Sequence, residues 1–172
     1  FTKLFMDELG LPIVADNDVN SFAACECNMG AGKKYKTYIV MTVGTGIGGA
    51  IVVNNKLWRG KDYNAGEIGR MLVDGVHWEK MASITALIKS AKLRELDIEE
   101  GKDVFDLYDQ GDRVAQLVVG EFYRNLGKGI ANLVYIFNPE AIIIGGGVSA
   151  REGFGNEINA YADYYLVDGF QD

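Results

Sequence analysis

The sequence predicts an α/β domain, and three stretches carry that prediction. Residues 35–43 (YKTYIVMTV) are rich in β-branched and aromatic side chains, run into a glycine loop, and are followed by residues 47–53 of the same character. From Asp112 towards Phe137, Val118, Phe122, Leu126, Ile130 and Val134 recur every fourth position, the spacing of one helix face. Residues 141–144 are then wholly apolar and end in Gly145, Gly146 and Gly147. A long helix, a buried strand and a glycine turn in that order form an α/β unit, with the ligand edge at the strand's carboxyl end.

In chain order, FTKLFMDELG reads as the end of an amphipathic helix, since acidic residues interrupt its apolar ones, rather than as a signal peptide. Residues 12–16 (PIVAD) predict a short buried strand feeding a turn. Residues 19–29 carry apolar and small side chains at helical spacing, and Gly30 and Gly32 stop that helix. The two β-rich runs form an antiparallel ribbon with glycine at its tip, and Asn54-Asn55 turns the second run back through Lys56, Leu57 and Trp58. Residues 65–69 (AGEIG) bracket one carboxylate with glycines, which predicts irregular backbone near a ligand. Helices are predicted over 78–89 and 103–110. Asp112 caps the long helix, Asn138-Pro139 ends it, and a last helix starts near Arg151. No repeat or low-complexity segment divides the chain, so residues 1–172 read as one domain.

Composition narrows the function. A net charge of -7 argues against a general nucleic-acid surface, which leans on excess Lys and Arg, though a nucleotide held by a loop and a metal ion needs no basic patch. No apolar run is long enough to span a bilayer, so the cytoplasm is the expected location. Cys25 and Cys27 are the only cysteines and His77 the only histidine. Neither a disulfide framework nor a zinc site is expected from them, and small buried thiols are the expected state.

Four groups of residues have chemical potential. In GTGIGG, the glycines at 44, 46, 48 and 49 remove side chains where a phosphate would come close, and Thr45 adds a hydroxyl. A ligand-free glycine hairpin fits that motif as well. It is no Walker loop, for no Lys-Ser or Lys-Thr follows, and the absence of a following helix disfavours a dinucleotide turn. In DNDVN, Asn17 can donate and accept hydrogen bonds to a hydroxyl, and Asp18 can take a proton from an attacking alcohol. A helix cap needs one such residue, and the excess favours a functional role. Glu67 and Glu79 suit adjacent sugar hydroxyls, although Glu79 alone reads as a solvated helix residue. Gly145, Gly146 and Gly147 alone read as a tight turn, or as a backbone against which a purine or ribose lies.

Taken in order, LPIVADNDVNSFAACE (11–26), YIVMTVGTGIGGAIVVNNKLWRG (38–60), AGEIG (65–69) and NPEAIIIGGGVS (138–149) resemble the ROK family. That family comprises repressors, open reading frames and sugar kinases of the actin-like ATPase superfamily. The resemblance spans nearly the whole chain. It implies an actin-like (ribonuclease H-like) lobe, a mixed sheet flanked by helices, and in full length an ATP-dependent hexokinase or glucokinase-like phosphotransferase working with Mg²⁺. It implies Asp18 as the base activating a sugar hydroxyl, normally on C6, and Asn17 beside it as a sugar ligand. Gly44, Thr45 and Gly46 would form the second phosphate loop, and Gly145, Gly146 and Gly147 the adenosine-side turn. Glu67 would hold sugar hydroxyls, with Glu79, just ahead of KMAS, as the second sugar-binding glutamate. A homodimer through the larger lobe is implied as well. A sugar-sensing domain of a ROK transcriptional regulator, with a helix-turn-helix upstream and hence nucleic acid as partner, is the alternative. Polyphosphate is an alternative donor.

The chain departs from the family pattern in two ways. Where the family's GEIGH histidine is usual, this chain has Arg70, and the cysteine-rich zinc loop ahead of Glu79 is replaced by the short stretch 73–78. Structural zinc is therefore not expected, and Arg70 is expected in a reshaped pocket for the anomeric end, suited to a C1-substituted sugar such as a β-glucoside. The second departure is that no DxGGT motif precedes Phe1 and the chain stops at Asp172, ahead of an expected carboxy-terminal helix. The resemblance thus implies the larger, carboxy-terminal lobe of a two-lobed kinase, with little or no turnover by this piece alone.

Overall fold

The computed structural model describes residues 2–13 and 15–170. Its sheet is mixed and four-stranded. β1 (Tyr38–Val43) and β2 (Ile47–Val53) pair antiparallel across Gly44, Thr45 and Gly46, with Val43 opposite Ile47. Asn54 and Asn55 turn β2 onto β3 (Lys56–Trp58) with φ of 50° and 62°. These are the two left-handed positions of a two-residue hairpin turn, and asparagine tolerates them. β4 (Leu72–Val73) and β5 (Val76–His77) form a separate small hairpin. β6 (Ala141–Gly145) lies parallel to β1 on its free side, giving the order β3-β2-β1-β6.

Helices cover both faces, which is why β1 is apolar on both. α1 (Thr2–Leu9) forms as the amphipathic pattern predicts but buries no residue. α2 (Asp18–Asn28) lays Val19 and Ala23 on one face of the sheet, against Tyr38, Val40, Ala50 and Val52. The other face carries Ile39, Met41, Val43 and Ile47 into a larger core. That core is built from α3 (Glu79–Ala82), α4 (Ile84–Leu93), α5 (Gly101–Asp109), α6 (Arg113–Phe137) and α7 (Phe154–Asp163). α6 supplies its buried stripe through Val118, Phe122, Leu126 and Ile130, four residues at the predicted spacing. Asp112 caps it by accepting from the N–H groups of Val114 and Ala115, and Asn138 ends it in a left-handed conformation. Among the described residues no helix is long and apolar enough to cross a membrane.

The structure corrects four expectations. Residues 12–16 form no strand where described; Pro12 has no N–H to give, and Asp16 at the segment's end is taken up by Arg59 and Asn20. Phe1 and Val14 lie outside the described residues. The helix predicted over 78–89 is broken at Ser83 (φ −90°, ψ 167°), whose hydroxyl caps α4 by accepting from the Ala86 N–H. The last helix starts at Phe154, because the chain first makes a 3-10 turn over Gly147–Ala150. Cys25 is exposed and Cys27 half-buried, not the buried thiols expected. α2 buries the stripe of Val19, Asn20 and Ala23, and Cys25 lies two residues on, about 200° around the helix.

Candidate active site

The parallel pairing of β1 and β6 puts their carboxyl ends side by side, Thr42 opposite Gly145, the edge where α/β sheets receive ligands. Gly44 anchors the loop that leaves β1: its N–H donates to the Gly46 carbonyl at 3.0 Å, and its own carbonyl accepts from Ile84 N–H at 2.8 Å. The break at Ser83 is what brings that N–H to the loop. The N–H groups of Thr45 and Gly46 have no backbone acceptor among the described residues. Beside them Gly146, at φ +99°, turns so closely on β1 that a Cβ would sit 2.5 Å from the Val43 carbonyl oxygen. Only glycine fits that position.

Two cavities open on either side of this wall and share Val43, Gly44 and Thr45. The first, of about 420 Å³, is lined by Asp18, Thr45, Gly46, Glu79 and Gly146 among others. The second, of about 540 Å³, lies between the loop, α5 and the turn after β6, and Gly147 faces it. Gly145 lines neither, since it packs under the Phe22 ring of α2.

Asp18 reaches the first cavity from the amino end of α2. Asn17 is that helix's cap, accepting from Asn20 N–H at 2.7 Å through Oδ1. Asp16 accepts from Asn17 N–H and from Asn20 Nδ2, and pairs with Arg59 Nη2 at 2.5 Å at the end of β3. The Arg59 hydrogen bond, aided by those two donors against the cost of burial, holds the Asp16 carboxyl down to about 2. Asp16 and the Oδ1 of Asn17 are thus spent on structure, and the Asn17 Nδ2 amide is not used by the cap. Among the described residues, Asp18 accepts only the adjacent Val19 N–H through Oδ1, which leaves its other oxygen free towards the cavity. Gly48 keeps α2 close to the strand, for a Cβ there would lie 2.4 Å from Val19.

Glu79 comes from the far side. Its carboxylate lies against Gly46, where a Cβ would approach Oε2 to 2.9 Å. Fully buried Trp78 sets this position: its indole lies flat on Gly129 of α6 and donates to the Asn125 carbonyl at 2.8 Å. The loop 65–69 lies over β2 through three close approaches, Gly66 on the Gly49 carbonyl, Gly49 on Ile68 and Gly69 on the Ile47 carbonyl. Glu67 and Arg70 ride on this loop, exposed, with Oε2 to Nε at 3.9 Å. Neither they nor Asn17 line the two cavities.

Gly44, Thr45 and Gly147 of the second cavity were singled out in the sequence, but its other walls escape sequence reasoning. Val43, Ile84, Phe105 and Val148 form its apolar lining, and Lys102, Asp106, Asp109 and Arg151 its polar edge. For these residues the signal available was a cation, Arg151, four residues past the three glycines.

The ROK family profile matches residues 1–172. The chain is 37% identical to a beta-glucoside kinase of Klebsiella pneumoniae over 174 residues, covering 95% of this chain and 59% of that protein. It is 38% identical to a glucokinase of Streptomyces coelicolor over 168 residues, covering 82% and 53%. A ROK family glucokinase from Streptomyces griseus, solved in complex with glucose and AMPPNP, superposes with a TM-score of 0.86 at 33% identity over 99% of this chain and 64% of that one. The chain spans a little over half the length of the curated relatives it matches. With its sequence match end to end and its fold shared with that glucokinase, the chain belongs to the ROK family.

Proposed function

We propose that the protein is a sugar kinase that transfers the γ-phosphate of ATP to a hexose hydroxyl, the C6 hydroxyl of glucose, a related hexose or a β-glucoside. In this reading the chain is the larger lobe of a two-lobed enzyme. One observation carries it: the carboxylates of Asp18 and Glu79 share a cavity with the Gly44-Thr45-Gly46 backbone, whose other side faces an apolar cavity of nucleoside size. The relatives named above act on glucose or β-glucosides, by their names, and one was solved with an ATP analogue.

The residues divide the work by position. Asp18 takes the proton of the attacking hydroxyl on its free oxygen as the oxygen–phosphorus bond forms, and ADP leaves with the electron pair of the broken bond. Thr45 and Gly46 N–H groups donate to the phosphate oxygens at the wall between the cavities. Glu79, held by Trp78, accepts from sugar hydroxyls and fixes the acceptor in line. Asn17 and Glu67 act as further sugar ligands once the cleft is closed around the substrate, and Arg70 lies towards its anomeric end. Gly146 and Gly147 leave room for the nucleoside, with Gly145 supporting the turn from beneath.

No group of three His, Cys, Asp or Glu side chains able to hold a metal ion gathers among the described residues. A Mg²⁺ cage made by this chain alone does not fit, and the ion would enter with the nucleotide phosphates, which it neutralises. The reading is tested by ATP-coupled phosphorylation of glucose and of cellobiose by the full-length natural protein. Turnover is expected with at least one of them, and greater with cellobiose if Arg70 reshapes the anomeric end. Absence of sugar-dependent ADP release with either would remove the kinase reading. The 172-residue chain alone is expected to show little or no turnover, because half a cleft does not exclude water.

A further inference from the structure

The 540 Å³ cavity has two walls that come from distant parts of the chain: α5 on one side, the 3-10 turn Gly147–Ala150 with Arg151 on the other. α5 and α7 each pack mainly on α6, so the spacing between these walls needs another tie. Arg151 is placed to be that tie. Its Nη2 donates to Asp109 Oδ1 at 2.6 Å, at the last residue of α5. Its Nη1 donates to Glu157 Oε2 at 2.7 Å, in the first turn of α7, and to the Glu152 carbonyl at 3.2 Å. Glu157 in turn accepts from the hydroxyl of Tyr123 on α6. The guanidinium also lies over the Phe105 and Tyr108 rings, 5.2 and 5.6 Å from their centroids, and Phe105 itself lines the cavity.

The side chain is only 18% exposed, and its Nε–H is buried with no acceptor among the described residues. A purely decorative surface arginine would turn that donor to water. This one is held by its two carboxylates and two rings at the expense of a lost hydrogen bond, as expected of a group whose position matters more than its solvation.

We propose that Arg151 is the positioning residue of the nucleotide pocket, a strut that fixes the distance between α5 and the turn after β6 and presses Phe105 into the base-binding wall. This rests on the reading of that cavity as the nucleoside site. Loss of the strut loosens nucleotide binding and leaves the sugar half untouched, because none of its partners reaches the cavity holding Asp18 and Glu79.

The test uses the full-length natural protein with Arg151→Met, Arg151→Lys, Asp109→Asn and Gly147→Leu. KM for ATP and for sugar, kcat, and direct AMPPNP binding by calorimetry are the readouts. R151M should raise KM for ATP about tenfold while sugar KM and kcat move less than about threefold. R151K should recover part of the loss, and D109N, which removes one arm and keeps the other, should raise KM for ATP about threefold. Gly147 has open space at its Cβ position and an ordinary φ, so G147L fills the cavity without straining the fold and should block AMPPNP. If G147L blocks AMPPNP but R151M and D109N leave KM for ATP unchanged, or raise both KM values equally, the strut is refuted and the nucleoside site stands. AMPPNP binding unaltered by G147L would overturn the nucleoside reading and the strut with it. D109N, the milder change, decides the matter if R151M does not fold.

Discussion

The two halves of the cleft are built by different means. The half holding Asp18, Gly46 and Glu79 is the more polar, and its carboxylates are placed through their chain neighbours: Asp18 by the cap at Asn17, and Glu79 by Trp78, whose own indole is anchored on Asn125, while Gly44 turns the loop between them. The half lined by Val43, Ile84, Phe105 and Val148 is mostly apolar, and its edges are tied by Arg151 to a residue 42 positions away. Groups that perform proton transfer must keep free lone pairs, so they sit where local backbone geometry holds them without using those atoms. A binding slot for a flat base needs only spacing and apolar walls, and long-range packing supplies both.

Substitutions should separate the halves, and the largest effect belongs to the polar one. Asp18→Asn in the full-length protein should lower kcat by about 10²–10⁴-fold, since in the proposed mechanism it removes the acceptor of the hydroxyl proton, with KM for ATP unchanged; steady-state kinetics with both substrates varied checks this. A smaller effect is expected from Gly66→Ala, where φ is +94° and a Cβ would lie 2.4 Å from the Gly49 carbonyl oxygen. The loop bearing Glu67 and Arg70 should lift from β2, raising sugar KM about tenfold with a stability loss of more than about 1 kcal/mol. If ATP and sugar KM rise together in that variant, the halves are not independent.

Smaller still, Trp78→Phe removes the indole donor to Asn125 and should cost about 1–2 kcal/mol of unfolding free energy in a denaturant titration. Most of any kinetic change should fall on the sugar side, through Glu79. The smallest effect concerns Asp16→Asn. Because Arg59 holds the folded-state carboxyl near 2, below its ordinary value of 3.8, the ion pair contributes fully above pH 3.8 and its contribution is lost as pH falls through about 2. The stability difference between wild type and D16N should therefore be constant near neutral pH and shrink towards pH 2. A difference that instead grew on acidification would contradict the assigned pairing.

What the sequence determined was local. β-rich and wholly apolar runs located the ribbon and β6, and helical apolar spacing located α2 and α6, because a strand covered on both faces is apolar throughout and burial of one helix face imposes its period. The asparagine pair at 54–55 and the glycines at 44, 46 and 146 marked their turns, because backbone sterics act within a few residues. Asp18 stood out as one of several polar residues in excess at a helix start, whereas Glu79 alone read as a solvated helix residue and only the family resemblance singled it out. Elements whose form depends on a neighbour were not legible. Pro12 begins a segment that reads as strand but pairs with none among the described residues, and Ser83 breaks a helix whose composition is continuous. Asp16, Asn17 and Asp18 read alike in sequence, and only Arg59 and the cap separated the structural pair from the free carboxylate. The second cavity was decided by tertiary structure almost entirely. Its walls converge through packing on α6, and the tie at Arg151 joins charges whose sequence separation hides their contact.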